Sequence, residues 1–215
     1  MPPGMNIDLA YGQGTLFIDL PSDCTTVIEP SFTAGLPEEK DTLSAALDQP
    51  IGLPALRTMI HPDDRICILF TDITRATPND RIIPWLLEYL SDHPKDQITL
   101  LNQLGTHRPN TREELEGMLT PEVVRNYRVL NHDAEDPDQL VSVGQTTSGD
   151  PALLNRHALD ADLRIVTGFI EPHFFAGFSG GPKGIMPGVA GLETVMSNHG
   201  FDHIADKRST FGVTQ

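Results

Sequence analysis

The fold of this chain is constrained most by short apolar runs that each end in a cluster of polar residues. The runs DRICILFTD (Asp64–Asp72), QITLLNQL (Gln97–Leu104) and LRIVTGFI (Leu163–Ile170) have the length of single strands. Consecutive apolar residues are typical of strands buried on both faces of a parallel sheet. Helices are predicted between them at Asn79–Leu90 and Arg112–Leu119. The alternation predicts an α/β fold with a mainly parallel, Rossmann-like sheet and flanking helices.

Further elements surround this alternation. Apolar and polar residues alternate around the turn signal GQG near the start of the chain, which predicts a β-hairpin ahead of the sheet. Helices are also expected at Pro37–Leu47 and Leu192–Asn198, and a strand near Tyr127–Asn131. The segment His132–Gly149, acidic and then rich in Ser and Thr, is predicted to be a surface excursion. The tail Phe201–Gln215 carries neither a helix stop nor a strand partner, so we expect a chain that has been cut.

Composition narrows the possible partners. The chain has 215 residues, of which 39% are hydrophobic, and its formal net charge is −15. Nucleic acids and anionic membranes would be repelled, so neither is expected as a partner. No apolar run reaches the ~18–20 residues that span a bilayer. Cys24 and Cys67 suit neither a disulfide framework nor a cysteine metal site, which favours a cytoplasmic location.

Three polar clusters, TDITR, GTHRPNT and EPHFFAGFSGG, follow the three apolar runs. Ligands of open α/β sheets bind at the carboxyl ends of the strands, so the clusters are expected to form one site. Asp72 can accept a hydrogen bond from a ligand hydroxyl, and the planar guanidinium of Arg75 suits a carboxylate or phosphate. His107 and His173 are suited to exchanging protons on the two faces of a substrate. The alternative is a loop-capping Asp paired with Arg, beside structural histidines.

The segment Glu171–His199 combines many glycines with a single lysine, Lys183, in the sequence SGGPKG. Glycine lets backbone approach a ligand closely, and successive backbone N–H groups that lead into a helix bind anions. Ser179, Gly180 and Gly181, together with the lysine, are therefore predicted to bind a phosphorylated cofactor. The alternative is a glycine-rich loop with a surface lysine.

The order and spacing of TDITRATPND, GTHRPNT, EPHFFAGFSGGPKGIMPGVAG and the following SNH resemble the amino-terminal domain of the nickel-dependent lactate racemase family. The resemblance extends from Thr71 to His199, and the combination of motifs is highly specific. It implies a racemase or epimerase of a lactate-like 2-hydroxy acid that carries a covalently bound nickel-pincer nucleotide. One histidine then takes the hydroxyl proton while the cofactor receives the α-hydride, and the second histidine protonates the oxygen after the hydride returns to the other face.

The resemblance also implies residue roles. Lys183 matches the covalent attachment point of the cofactor, and His199 matches the histidine that ligates nickel. A single histidine is not a metal site, so the remaining ligands would come from elsewhere, such as the cofactor. His107 and His173 match the acid/base pair.

Asp72 and Arg75 match residues that line the cofactor and substrate pocket. Members of the family have a second domain of comparable size, so residues 1–215 are expected to be the amino-terminal domain and the carboxy-terminal domain to be absent. The implied partners are that domain, a small 2-hydroxy acid and the cofactor-biosynthesis proteins. Two alternatives stay open: a non-catalytic phosphate- or nucleotide-binding module, and an isolated domain without activity.

Overall fold

The computed structural model describes residues 4–146 and 149–213, and the chain forms two compact units, Met1–Pro37 and Glu38–Gln215. The first unit contains an antiparallel hairpin of β1 (Gly4–Tyr11) and β2 (Gly14–Pro21). Gly12 lies in the turn with φ 58°, in the left-handed region that glycine enters without strain. The predicted hairpin is therefore confirmed.

The second unit is built on a parallel sheet. Its strands are, in chain order, β3 (Ile66–Phe70), β4 (Ile98–Asn102), β5 (Arg128–Asn131), β6 (Leu140–Gln145), β7 (Pro151–Asn155), β8 (Leu163–Val166), β9 (Pro172–His173) and β10 (Gly177–Phe178). Four of them form a sheet in the order β5-β4-β3-β8, and every neighbouring pair in it is parallel. The predicted α/β fold with a parallel sheet is confirmed.

Helices flank this sheet. They are, in chain order, α1 (Glu39–Asp48), α2 (Leu56–Met59), α3 (Asn79–Tyr89), α4 (Arg112–Leu119), α5 (Pro121–Asn126), α6 (Arg156–Leu159), α7 (Leu192–Asn198) and α8 (Phe201–Ile204). The sequence predicted α1, α3, α4 and α7, of which α3 was predicted from helical spacing, whereas the shorter helices were not predicted. None of the helices within 4–146 and 149–213 has the length and apolar character that a membrane crossing needs.

The core lies on both faces of β3, whose residues are all exposed by 1% or less. Ile66, Ile68 and Phe70 pack on one face against residues of α3, α4 and α5. Cys67 and Leu69 pack on the other face, together with residues of β4 and α6. Burial on both sides explains why this strand has no polar position between its ends.

The predicted surface excursion over His132–Gly149 is mostly exposed or half-buried, but it contains a strand and two buried residues that were not predicted, His132 and Ala134. Leu140–Gln145 forms strand β6, which pairs antiparallel with β7. His132 is only 1% exposed: its Nε2 donates to the carbonyl of Ala190 at 3.0 Å, and its Nδ1 accepts from the amide of Asn155 at 3.0 Å. The acidic composition of the segment did not indicate a strand, because β6 depends on pairing with another strand, β7. Residues 147 and 148 of the predicted excursion lie outside the described residues.

We predict that His132→Leu lowers the free energy of unfolding by about 2–4 kcal/mol, because two buried hydrogen-bonding partners lose the imidazole. Chemical denaturation measures the change, with His61→Leu as control because the side chain of His61 is 80% exposed.

Burial lowers the pKa of His132. Its neutral ring therefore stabilises the fold above the unfolded-state pKa of about 6.5. That contribution is lost as the pH falls. Acidification should therefore reduce the difference in the free energy of unfolding between the wild type and His132→Leu. A difference below about 0.5 kcal/mol at neutral pH would contradict the role of this network.

Candidate active site

Three strand ends meet at one edge of the sheet. The chain places β4 and β5 on one side of β3 and returns with β8 on the other, and such a reversal of strand order leaves a crevice at the carboxyl edge. A cleft of about 420 Å³ lies there, within the size range of small-ligand pockets. The predicted site residues that line it are Asp72, Arg75, His107, His173, Ser179, Gly180, Lys183 and His199. Gly181 is not among the lining residues, although it follows Gly180 directly.

Asp72 and His107 form a hydrogen-bonded pair across two strand ends. Nδ1 of His107 lies 2.7 Å from Oδ2 of Asp72, and the Asp72 side chain is 5% exposed. The second carboxylate oxygen, Oδ1, accepts from the hydroxyl of Thr74 at 2.8 Å. On the other side, the backbone N–H of Gly105 donates to the carbonyl of Gly188 at 2.9 Å, which holds the loop that carries His107 against the glycine-rich segment. The pair is thus fixed by contacts from three parts of the chain.

The side chains of Arg75 and Asp72 do not pair with each other. The backbone N–H of Arg75 donates to the Asp72 carbonyl at 3.2 Å, and its guanidinium donates to the Thr74 hydroxyl at 3.0 Å. Arg75 takes part in none of the ion pairs found across 4–146 and 149–213. The alternative was a loop-capping Asp with an Arg paired to it, and the geometry does not show that pairing. The guanidinium of Arg75 lies at the cleft without a carboxylate from the described chain.

His173 is the last residue of the two-residue strand β9, and a tight turn after it leads to β10. Its Nδ1 accepts from the backbone N–H groups of Phe175 and Ala176 at 3.4 and 3.3 Å. Burial lowers the pKa of His173, and the positive charges of Lys183 and Arg75 lower it further. The imidazole is therefore held neutral more readily than a free histidine.

Lys183 lies in a short 3-10 turn over Gly181–Gly184 and is half-buried. Burial lowers the pKa of its amine, and the nearby charge of Arg75 acts in the same direction, while Glu171 opposes the shift. Its Nζ lies 5.9 Å from the centroid of the Phe175 ring. A larger fraction of the amine is therefore uncharged near neutral pH than for an exposed lysine, and the uncharged form is the nucleophile.

His199 follows the last residue of α7. Its Nδ1 lies 3.0 Å from the backbone carbonyl of Val195, which can only accept, so Nδ1 carries the hydrogen and Nε2 keeps its lone pair. The ring packs edge-on against Phe175, with centroids 4.9 Å apart. A backbone carbonyl that fixes the ring in this way is the usual support of a metal-ligating histidine.

The residues before Lys183 differ in what they offer a ligand. Ser179 is 8% exposed; its hydroxyl donates to the Phe169 carbonyl at 2.6 Å and accepts from the Glu171 N–H at 3.0 Å, which closes the loop. Gly180 has φ 76°, and a Cβ there would lie 3.0 Å from Ile170. The backbone conformation and the close approach to Ile170 therefore require glycine at this position. Gly181 has φ 52°, and a Cβ there would meet nothing within 4 Å.

Sequence reasoning missed two residues that shape the cleft. Gln103, the residue after β4, donates from Nε2 to the carbonyl of Thr167, the residue after β8, at 2.7 Å and so joins the ends of these two strands across β3. Phe175 contacts the rings of both His173 and His199. A polar residue at the end of an apolar run was a signal for Gln103. No signal distinguished Phe175 from its exposed neighbour Phe174.

The model of the lactate racemase N-terminal domain family matches residues 11–212. The chain belongs to the lactate racemase N-terminal domain family. The predicted family resemblance is thereby confirmed.

Two relatives are named lactate racemases, which are isomerases. The lactate racemase of Lactiplantibacillus plantarum is 39% identical over 175 residues, which are 81% of this chain and 41% of that protein. The lactate racemase of Thermoanaerobacterium thermosaccharolyticum is 33% identical over 215 residues, and the match covers 98% of this chain and 50% of that protein. The chain therefore spans half or less of the length of these relatives.

Solved structures agree with the fold. The lactate racemase apoprotein from Thermoanaerobacterium thermosaccharolyticum superposes with a TM-score of 0.84 at 33% identity, over 97% of this chain and 49% of that one. A protein from Thermotoga maritima superposes with a TM-score of 0.66 at 26% identity, over 86% of this chain and 46% of that one.

We predict that Lys183 reacts with amine-directed acylating reagents at a lower pH than the exposed lysines Lys95 and Lys207, because burial lowers its pKa. Peptide mass spectrometry after brief labelling over a series of pH values gives a midpoint for each lysine. Arg75→Met removes one nearby positive charge and should shift the Lys183 midpoint back upward, whereas Arg112→Met, at a surface ion pair, should not. Equal midpoints for all three lysines would contradict the electrostatic description of the cleft.

Proposed function

We propose that this chain supplies the cofactor-binding and acid/base machinery of a racemase or epimerase that acts on a lactate-like 2-hydroxy acid. One observation carries the proposal. A single cleft collects three histidines from different parts of the chain, a guanidinium without a carboxylate partner in the described chain, and an amine of lowered pKa. The lactate racemases among its relatives support the substrate class.

The substrate would be bound and deprotonated by residues of this chain. Arg75 would bind the carboxylate, since its planar fork matches two carboxylate oxygens. His107 and His173 would exchange the proton of the C2 hydroxyl, one for each enantiomer. Inversion at a single carbon needs a proton acceptor on each side, and these two imidazoles reach the cleft from separate strand ends, after β4 and after β8.

The residues of the cleft would suit the nickel-pincer nucleotide expected from the family. Lys183 would be its covalent attachment point, and Nε2 of His199 would ligate nickel, since Nδ1 is committed to Val195. Within 4–146 and 149–213, no group of three or more His, Cys, Asp or Glu could hold a metal unaided, so its other ligands would belong to the cofactor. When bound, the cofactor supplies the hydride acceptor and donor that no side chain provides.

The phosphate end of the cofactor would lie near Ser179, Gly180 and Gly181. Open space beside Gly181 leaves room for an anion, and the hydroxyl of Ser179 retains one unused acceptor position but no free hydrogen. We therefore propose that Ser179 acts mainly by holding the loop, while backbone N–H groups bind the phosphate. Asp72 would act on the cofactor and substrate pocket through His107.

Residues 1–215 would form the amino-terminal domain of a protein about twice as long, in line with the lengths of the relatives. A carboxy-terminal domain would then form the other wall of the cleft, and cofactor-biosynthesis proteins would load Lys183. A second candidate function is a phosphate- or nucleotide-binding module without metal. The left-handed backbone at Gly180 and Gly181, directly before Lys183, favours it. In a third case the isolated domain folds but has no turnover.

Cofactor capture can be measured on the chain itself. After co-expression with cofactor-biosynthesis proteins, we expect an intact-mass adduct and about one nickel per chain, both lost in Lys183→Ala. Lys207→Ala is the matched control, because Lys207 is exposed and does not line the cleft. An unmodified mass without nickel, together with retained nucleotide binding, would favour the metal-free module.

Turnover requires the loaded protein at the full length of the family. There we expect His107→Ala and His173→Ala each to lower kcat by about 10²–10⁴-fold, the usual contribution of a general acid or base. His61→Ala should leave the rate unchanged, because His61 does not line the cleft. Near-normal racemisation in both active-site variants would refute the assignment of the two histidines.

A further inference from the structure

We infer that His107 and His173 rest in opposite tautomers: His107 carries its hydrogen on Nδ1 and His173 on Nε2. The two members of the proposed acid/base pair are then unequal before any substrate binds. The role of these tautomers in catalysis rests on the proposed function. The tautomers themselves rest only on hydrogen bonds within the chain.

The tautomer of His107 is set by Asp72. A carboxylate can only accept, so the 2.7 Å contact from Asp72 Oδ2 to His107 Nδ1 requires a hydrogen on Nδ1. Asp72 has little freedom to turn away, because its side chain is buried and its other oxygen accepts from Thr74. A neutral His107 therefore keeps its lone pair on Nε2. Asp72 is a positioning residue in this arrangement, since it acts through the imidazole.

The tautomer of His173 is set by the turn that follows it. Backbone N–H groups can only donate, so the contacts from Phe175 and Ala176 require Nδ1 of His173 to be an acceptor. Each contact is long, at 3.4 and 3.3 Å, but both converge on the same nitrogen. The pairing of His173 with Gly177 closes the turn and brings the two amides to the ring. A neutral His173 therefore carries its hydrogen on Nε2.

The two rings can then do different things for a 2-hydroxy acid. At His107, the substrate O–H bond can break while an Nε2–H bond forms, and the resulting imidazolium keeps its Nδ1–H on the Asp72 carboxylate. At His173, Nε2 already holds a hydrogen, so in this state the ring donates a hydrogen bond to the substrate oxygen. It becomes a base at Nε2 only after Nδ1 gives up its two N–H donors and takes a proton from water while Nε2 releases its own proton to water. His107 is thus the resting base of the pair.

The test is the nitrogen-15 NMR spectrum of the histidine rings in the 215-residue chain, at a pH where both are neutral. Protonated and unprotonated ring nitrogens have well separated shifts. We expect a protonated Nδ1 for His107 and a protonated Nε2 for His173. The same tautomer in both rings, or the reverse assignment, would overturn the inference.

Asp72→Asn sharpens the test. Thr74 still donates to the amide oxygen, so the amide nitrogen faces His107 Nδ1 and should force the hydrogen onto Nε2. Thr74→Val is the matched control, because it removes a hydrogen bond to the other oxygen and should leave the His107 tautomer unchanged. An unchanged tautomer in Asp72→Asn would overturn the positioning role. If that variant fails to fold, the spectrum of the wild-type chain still decides the inference.

Kinetics separate this inference from the proposed function. In the loaded full-length protein we expect Asp72→Asn to lower kcat by about 10³–10⁴-fold with little change in KM, as when a base is held in the wrong tautomer. Normal kcat in a variant whose His107 tautomer has switched would overturn the resting-base assignment. Opposite tautomers in a loaded wild-type protein without racemase activity would instead refute the proposed function and leave the tautomers standing.

Discussion

The parallel pairing of β3 with both β4 and β8 is the constraint on which the rest of this structure depends. β3 is buried on both faces and lies inside the sheet, and its neighbours β4 and β8 run in the same direction as it does. Parallel strands end at one edge, so the residues that follow them meet there whatever their separation in the chain. Asp72 and His107, thirty-five positions apart, touch for this reason.

Hydrogen bonds to side-chain and backbone groups then define the chemistry of each histidine ring. Asp72, Val195 and the turn after β9 each fix one histidine ring by a different kind of partner: a carboxylate for His107, a carbonyl for His199, and two N–H groups for His173. The identity of each partner decides which ring nitrogen keeps its lone pair. Three histidines of one cleft thereby acquire three different environments, which is what an acid/base pair beside a metal ligand would need.

Close backbone approach accounts for several glycines without reference to a ligand. A Cβ on Gly168 would lie 3.2 Å from Gly180, and one on Gly184 would lie 2.2 Å from Gln103. The glycine-rich segment is therefore pressed against the ends of β4 and β8, and this packing places Lys183 at the cleft. The surroundings of Gly181, by contrast, are open. Glycine at this position is explained by its left-handed backbone conformation and by the space that the missing side chain leaves.

Sequence predicted best where a local rule is sufficient. Helical period located α3 and α4, and the capping box at Thr111 and Glu114 defines the start of α4. Strand β6 was not predicted, because it forms through pairing with β7. Thr194 of α7 supports β7 in turn by accepting from the N–H of Leu153 at 2.8 Å. Composition carries no information about such a distant partner.

The sequence by itself determined the fold class, the family and the residue types that could carry chemistry, since apolar runs, turn residues and motif spacing are local properties of the chain. The tertiary structure alone decided that Asp72 pairs with His107 and not with Arg75, that Phe175 joins His173 to His199, and that burial lowers the pKa of Lys183. These features depend on distances between residues far apart in sequence. The folding of β3, β4 and β8 into one sheet fixes those distances.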